Sequence, residues 1–139
     1  MARLLIILFA TILLGGCQML GPDDDSSKTD RTYPEAFGYP DAILHDLLDG
    51  NHPAGSYDLT AFVVGISECP PDFVCLVADH ILVAGSPHTD SPALMIGAEK
   101  PSQFELDEDF VLSIEVFTEA FPESNQVQYV RLVGYSEVN

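Results

Sequence analysis

The chain has 139 residues, of which 47% are hydrophobic, and it carries 22 Asp and Glu residues against five Lys and Arg, for a formal charge of −17. This length suits one domain with a single core. Phosphate contacts depend on lysine and arginine, so the charge argues against binding to nucleic acid or to anionic lipid headgroups. The acidity also fits the solvated surface of a halophilic protein, or simple solubility in a crowded compartment.

The N-terminus has the pattern of an export signal. Arg3 supplies a basic start, and Leu4 to Leu14 is apolar apart from Thr11. This stretch is shorter than the roughly 20 apolar residues that a membrane-spanning helix needs. It ends in Leu14-Gly15-Gly16-Cys17, which resembles the lipobox of bacterial lipoproteins. An ordinary cleaved signal with a chance cysteine beside it is the alternative.

The lipoprotein resemblance implies that residues 1–16 are a signal peptide and that Cys17 carries acyl chains such as palmitate. The membrane is then a partner through this anchor. Gln18 stands where an aspartate would indicate retention in the inner membrane. The expected location is therefore the bacterial cell envelope, on the outer membrane and facing the periplasm.

Cysteine counting predicts a disulfide. Of the three cysteines, Cys69 and Cys75 remain if Cys17 carries lipid, and an exported protein lies where disulfides persist. The residues between them begin with Pro70-Pro71, a turn sequence between two β-like runs. Zinc is the rival interpretation, but zinc needs four ligands and no second pair stands at ligand spacing.

Residues 17–32 are predicted to be an acidic tether, because they are polar and offer little for a core. The triplet Asp23-Asp24-Asp25 is read as solvated linker, with a cation site as the alternative. The folded domain is assigned to residues 33–139. It begins with one short helix, for which Asp41 is the expected N-cap and Gly50 the stop, with apolar residues at helical spacing between Ile43 and Leu48.

The rest of the chain has the pattern of β-strands. Gly65, inside the first run, is placed for a bend or bulge, and residues 110–117 alternate between apolar and polar. The predicted strands are Ser56 to Glu68, Phe73 to Ala84, Ala93 to Ile96, Phe110 to Phe117 and Val127 to Val138.

Five such strands, the first long and bent, predict a mainly β domain: a small five-stranded antiparallel barrel of the OB type with one short N-terminal helix. The chain resembles exported bacterial OB-fold proteins over Ile43 to Tyr135. The resemblance rests on the Gly55-Ser56-Tyr57 entry, the Cys69-Pro70-Pro71 turn and the last two strands. Residues 99–103 are too short for the helix that OB folds commonly place between strands three and four. The helix before strand one could cover that position, or the fold could be a small β-sandwich.

The sequence assigns no catalytic residue and no metal ligand, and it implies no cofactor. No two histidines have the spacing that brings imidazoles together on a helix or strand, and no serine stands in a Gly-x-Ser-x-Gly setting. Carboxylate pairs such as Asp107 and Asp109 arise by chance among so many acids. The side chains considered were His45, His52, His80, His88, Ser67, Ser86 and Ser113.

Two functions are compatible with these patterns. The leading hypothesis is a lipid-anchored, non-enzymatic binding or structural module that contacts an envelope protein, a glycan or a small ligand. Its binding face would be that of strands two and three, with Val77, Asp79, Ile81 and Val83 or their alternates. The other hypothesis is a calcium- or zinc-binding domain, or a cation-dependent enzyme, that uses clustered acids with His80 or His88.

Overall fold

The computed structural model describes residues 32–88, 90–119, 126 and 128–138. The predicted signal peptide, Cys17 and the tether as far as residue 31 lie outside the described residues. In chain order the elements are the helix α1 (Leu44–Leu48), the strands β1 (Gly55–Ser67), β2 (His80–Ala84) and β3 (Leu94–Gly97), a 3-10 helix (Pro101–Gln103), and the strands β4 (Asp109–Val116) and β5 (Val130–Glu137).

The five strands form one closed ring in the order β1-β2-β3-β5-β4. The prediction of a small five-stranded OB-like barrel with one short helix is confirmed. The strands form a single closed sheet, so the alternative of a small β-sandwich, which has two sheets, does not apply. One detail differs from the prediction. β3 and β5 run parallel and share a single register pair, Gly97 with Arg131, because the chain crosses the barrel between β3 and β4. We call this contact the seam.

The core fills the interior of the ring. Alternate residues of β1 and β4 point inward, and the 3-10 helix places Phe104 against the rings of Phe110 and Tyr135, at centroid distances of 5.3 and 4.7 Å. The helix α1 adds the buried Leu47. The short 3-10 helix and α1 therefore both cover the core. The fully buried large side chains are Leu47, Leu59, Ile81, Leu94, Ile96, Leu112, Ile114, Val63, Val83, Val130 and Pro101.

The predicted irregularity at Gly65 is confirmed, since the register of β1 against β2 shifts between Val63 and Gly65. The second predicted strand is too long, because β2 contains only His80–Ala84. Residues 73–79 form no strand, and a disulfide ties Cys75 back to Cys69 before β2 begins. The apolar run that suggested a strand lies in a loop.

Asp41 is not the helix cap. Residue Ile43 occupies the N-cap position without a side-chain hydrogen bond. Asp41 instead forms an isolated parallel bridge with Asp58 of β1. The amide of Ala42 donates to the Asp58 carbonyl at 2.7 Å, and the Asp58 amide donates to the Pro40 carbonyl at 3.0 Å. These bonds keep the chain before α1 extended, so residue 41 pairs with β1 and does not occupy the N-cap position of the helix.

Residues 33–42, which we call the N-terminal strap, lie across β1, β4 and β5. The Tyr135 amide donates to the Pro34 carbonyl at 3.0 Å. The Phe37 amide donates to the Ser113 hydroxyl at 2.8 Å, and this buried hydroxyl donates to Asp58 at 2.5 Å. Buried polar groups are costly unless they are paired, so this chain of bonds fixes the strap to the barrel.

The strap lies so close to Gly134 that a side chain there would collide with it. A Cβ at Gly134 would stand 2.9 Å from the Glu35 carbonyl oxygen and 3.2 Å from that of Pro34. We expect Gly134→Ala to lower the free energy of unfolding by about 1–3 kcal/mol, as overpacking does, in denaturant titration.

Gly85→Ala is the matched control, because the nearest atom to a Cβ at Gly85 is a Leu44 methyl carbon at 3.7 Å. This substitution should change the stability by less than about 0.5 kcal/mol. Equal stability of the two variants would contradict the close contact of the strap with β5.

Candidate functional site

A cleft of about 480 Å³ opens where β3 and β5 diverge beyond the seam. We call it the seam cleft. Its walls come from the start of the strap, the end of the loop between β1 and β2, the end of β3 and the beginning of β5. The lining residues are Thr32, Tyr33, Pro34, Ala78, Asp79, Gly97, Ala98, Glu99, Tyr129, Arg131, Leu132 and Val133.

The Tyr33 hydroxyl is a buried polar group in this wall. The amide of Glu99 donates to it, and the residue is 7% exposed. Burial is the main cause of a raised pKa for Tyr33, and the hydrogen bond from the Glu99 amide opposes it. The charges of Glu99 and Tyr129 also raise this pKa, whereas Arg131 lowers it. Glu99, Tyr129 and Arg131 line the same cleft as Tyr33. The Tyr33 hydroxyl stays protonated at neutral pH and can both donate and accept hydrogen bonds.

Arg131 is the cation of the seam cleft. Its guanidinium pairs with Glu115 on β4 and lies 5.5 Å from the centroid of the Phe117 ring. The hydrogen bond to Glu115 is the main cause of a raised pKa for Arg131. Since the side chain is about half exposed, salt and solvent screen the pair. The guanidinium is thus held in place while part of it faces the solvent.

Tyr129 covers the seam because residue 97 is glycine. A Cβ at Gly97 would lie 2.8 Å from the Tyr129 hydroxyl oxygen and 3.2 Å from its ring. The ring of Phe117, the residue after β4, packs on Tyr129 with centroids 5.4 Å apart. An aromatic ring over a strand glycine replaces the missing side-chain packing. This contact and the hydrogen bond of Tyr33 bring both tyrosines to the cleft.

The cleft is connected to the disulfide loop through Asp79. One carboxylate oxygen of Asp79 accepts the amide of Cys69 at 2.7 Å, and Asp79 lines the cleft. The predicted disulfide between Cys69 and Cys75 is confirmed, with Cα atoms 5.9 Å apart. Glu99 and Asp79 line the cleft together with Arg131, so its lining includes residues of both charge signs.

The structure decides which of the two alternate sets of residues on β2 points outward, a choice that the prediction left open. Ile81 and Val83 are fully buried in the core, so they face inward. Ile81 pairs with Ile96 of β3, which is also fully buried, so this side of both strands faces the core. Of the four residues suggested, Asp79 lines the seam cleft, and Val77 is half-buried in the loop before β2.

The histidines lie apart from one another. His45 pairs with Asp49 at 3.4 Å on α1, and His52 packs edge-on against Tyr57. His80 is buried, with Nδ1 2.8 Å from the Ala78 carbonyl, and His88 is exposed.

The serines and loop aspartates considered from the sequence have separate local surroundings. Ser113 is engaged with Asp58, Ser86 bonds to Ser91 at 2.7 Å, and Ser67 is exposed. Asp107 lies in a loop with φ of 66°. A second cavity of about 420 Å³ is lined by several carboxylates, including Glu105, Glu108, Asp109 and Glu137. Even so, the described part of the chain has no group of three or more metal-binding side chains.

Four residues of the candidate site were not predicted from the sequence as site residues: Tyr33, Glu99, Tyr129 and Arg131. Tyr33 and Glu99 are 66 positions apart, and their proximity depends on how the ring closes. One signal was available: Arg131 is one of only two basic residues after residue 32, and it stands on a strand next to aromatic residues.

No model of a known protein family matches the chain, and the curated proteins contain no sequence similar to it. Within residues 32–88, 90–119, 126 and 128–138, no helix has both the length and the apolar character needed to cross a membrane.

Proposed function

We propose that this protein is a lipid-anchored, non-enzymatic binding module of the bacterial cell envelope, and that its seam cleft binds an envelope glycan. Lipid at Cys17 would hold it on the membrane. If residues 17–32 form a flexible linker, they would span roughly 20 Å. The barrel could then move above the bilayer while the protein remains attached. The proposal rests chiefly on one observation: a cation, a carboxylate and a buried tyrosine hydroxyl line the same cleft.

The chemistry of the cleft suits a sugar. Sugar hydroxyls donate and accept hydrogen bonds at once. The Arg131 guanidinium only donates, the Glu99 carboxylate only accepts, and the Tyr33 hydroxyl does both. A cleft of about 480 Å³ is within the size range of small-ligand sites, about 300–1,000 Å³.

The position of the cleft also suits this fold. OB folds bind oligosaccharides through a strand face and through the loops that join strands one to two and four to five. Here Asp79 closes the first of these loops, and Tyr129 lies at the end of the second. The same face in nucleic-acid binders is positively charged, whereas this cleft has two carboxylates beside its single arginine.

Substitution of the cleft residues should weaken binding to a soluble glycan. We expect Arg131→Gln and Glu99→Gln each to reduce affinity for N-acetylglucosamine oligosaccharides about tenfold, the typical effect of losing a hydrogen bond to a charged group. Isothermal titration calorimetry measures this loss. Tyr33→Phe, which removes only the hydroxyl, should act in the same direction.

Lys100→Gln is the matched control for Arg131→Gln. It removes the same charge, and Lys100 follows Glu99 in the chain but does not line the cleft. An equal loss of affinity in this control, or no binding of oligosaccharides or of sedimented peptidoglycan by the unaltered protein, would contradict the assignment. Thermal unfolding of each variant separates loss of binding from loss of folding.

The anchor has its own test. We expect Cys17→Ser to move the protein from the detergent phase to the aqueous phase in phase partition, because acyl chains supply ~0.8 kcal/mol per buried methylene. Mass spectrometry of the unaltered protein should find the added acyl mass at Cys17. Identical partition of the variant and the unaltered protein would exclude this cysteine as the anchor.

A further inference from the structure

The loop between β1 and β2 exposes three apolar side chains within four residues. Phe73, Val74 and Leu76 are 71%, 99% and 82% exposed. We call these three residues the apolar tip. Such side chains lose favourable burial when they remain in water, and clustered exposed apolar residues commonly mark an interaction site. The only ionisable side chain between the two bridged cysteines is Asp72.

The loop that carries the tip is braced. The Cys69–Cys75 disulfide closes it, and the Phe73 amide donates to the Pro70 carbonyl at 3.0 Å. Asp79 holds the Cys69 amide at the base of the loop. A preformed loop has little conformational entropy left to lose when it binds. The disulfide therefore keeps apolar side chains on the surface that a free chain could turn inward.

The tip lies on the side of the barrel where the tether arrives. Its loop ends at Ala78 and Asp79, which line the seam cleft, and Thr32 to Pro34 line the same cleft. Thr32 follows Cys17 by fifteen residues, and a flexible linker of that length would span roughly 20 Å. A bilayer that holds Cys17 is therefore within reach of the tip.

We propose that the apolar tip inserts into the bilayer to which the protein is anchored, as a second attachment point that orients the barrel. This inference rests on the proposed lipid anchor at Cys17. The strongly acidic barrel repels anionic headgroups, so the tip should insert best into zwitterionic lipid and less well as anionic lipid is added. Insertion would hold the seam cleft near the membrane surface.

Tryptophan fluorescence tests this directly, because the chain contains no tryptophan. Phe73→Trp places one in the tip. Phe37→Trp is the matched control, since Phe37 is 51% exposed but lies on the strap. Both full-length lipidated proteins are reconstituted into phosphatidylcholine vesicles with and without brominated acyl chains. We expect the tryptophan at position 73 to emit at shorter wavelength and to lose most of its emission with brominated lipid, and the one at position 37 to change little.

Adding Val74→Asp and Leu76→Asp to the Phe73→Trp protein should abolish the quenching, while vesicle flotation should remain unchanged. Floated protein whose tryptophan at position 73 is unquenched would overturn tip insertion and leave the anchor intact. Quenching by aqueous iodide distinguishes a protein partner from lipid. If an envelope protein fraction, but not vesicles, protected the tryptophan at position 73 from iodide, the tip would be a protein-binding site and the inference would be wrong.

Protein that fails to float would overturn the anchor instead. In that case, emission from the tryptophan at position 73 is measured with an excess of brominated vesicles. Quenching would show that the tip inserts without the anchor, and no quenching would overturn tip insertion together with the anchor.

Discussion

Closure of the ring at the seam is the constraint on which the other features depend. β3 and β5 meet in one register pair, so the backbone groups beyond it must find other partners or remain unpaired, which is costly when they are buried. The strap supplies these partners: the Pro34 carbonyl accepts the Tyr135 amide, and the Tyr33 hydroxyl accepts the Glu99 amide. Residues outside the five strands therefore complete the barrel.

The same constraint creates the candidate site. Where two strands diverge, a cleft remains between them, and the groups that bridge it become its lining. Tyr33 and Tyr129 stabilise the seam by the contacts described above, while Arg131 and Glu99 face the space between the strands. The residues that stabilise the seam are thus the same ones that would contact a ligand in the proposed site.

The sequence predicted the parts of the fold that depend on local pattern. The alternation in residues 110–117 and the glycine inside the first strand gave β4 and the bulge of β1, and cysteine counting gave the disulfide. It failed at residues 73–77, where a run of apolar residues lies in a loop because the disulfide bends the chain before pairing can start. The cleft could not be predicted, because Tyr33, Glu99 and Arg131 meet only after the ring closes.

Native-state hydrogen exchange measures whether the strap and the tyrosine contacts close the ring. We expect the amides of Tyr135 and Glu99 to exchange nearly as slowly as the amides of the β1–β4 pairing, because all of them open only when the barrel opens. Tyr33→Phe should speed up exchange at Glu99 and leave the β1–β4 amides unchanged. If the Tyr135 and Glu99 amides exchanged as fast as those of exposed loops while the β1 and β4 amides stayed protected, the strap and the tyrosine contacts would not be what closes the ring.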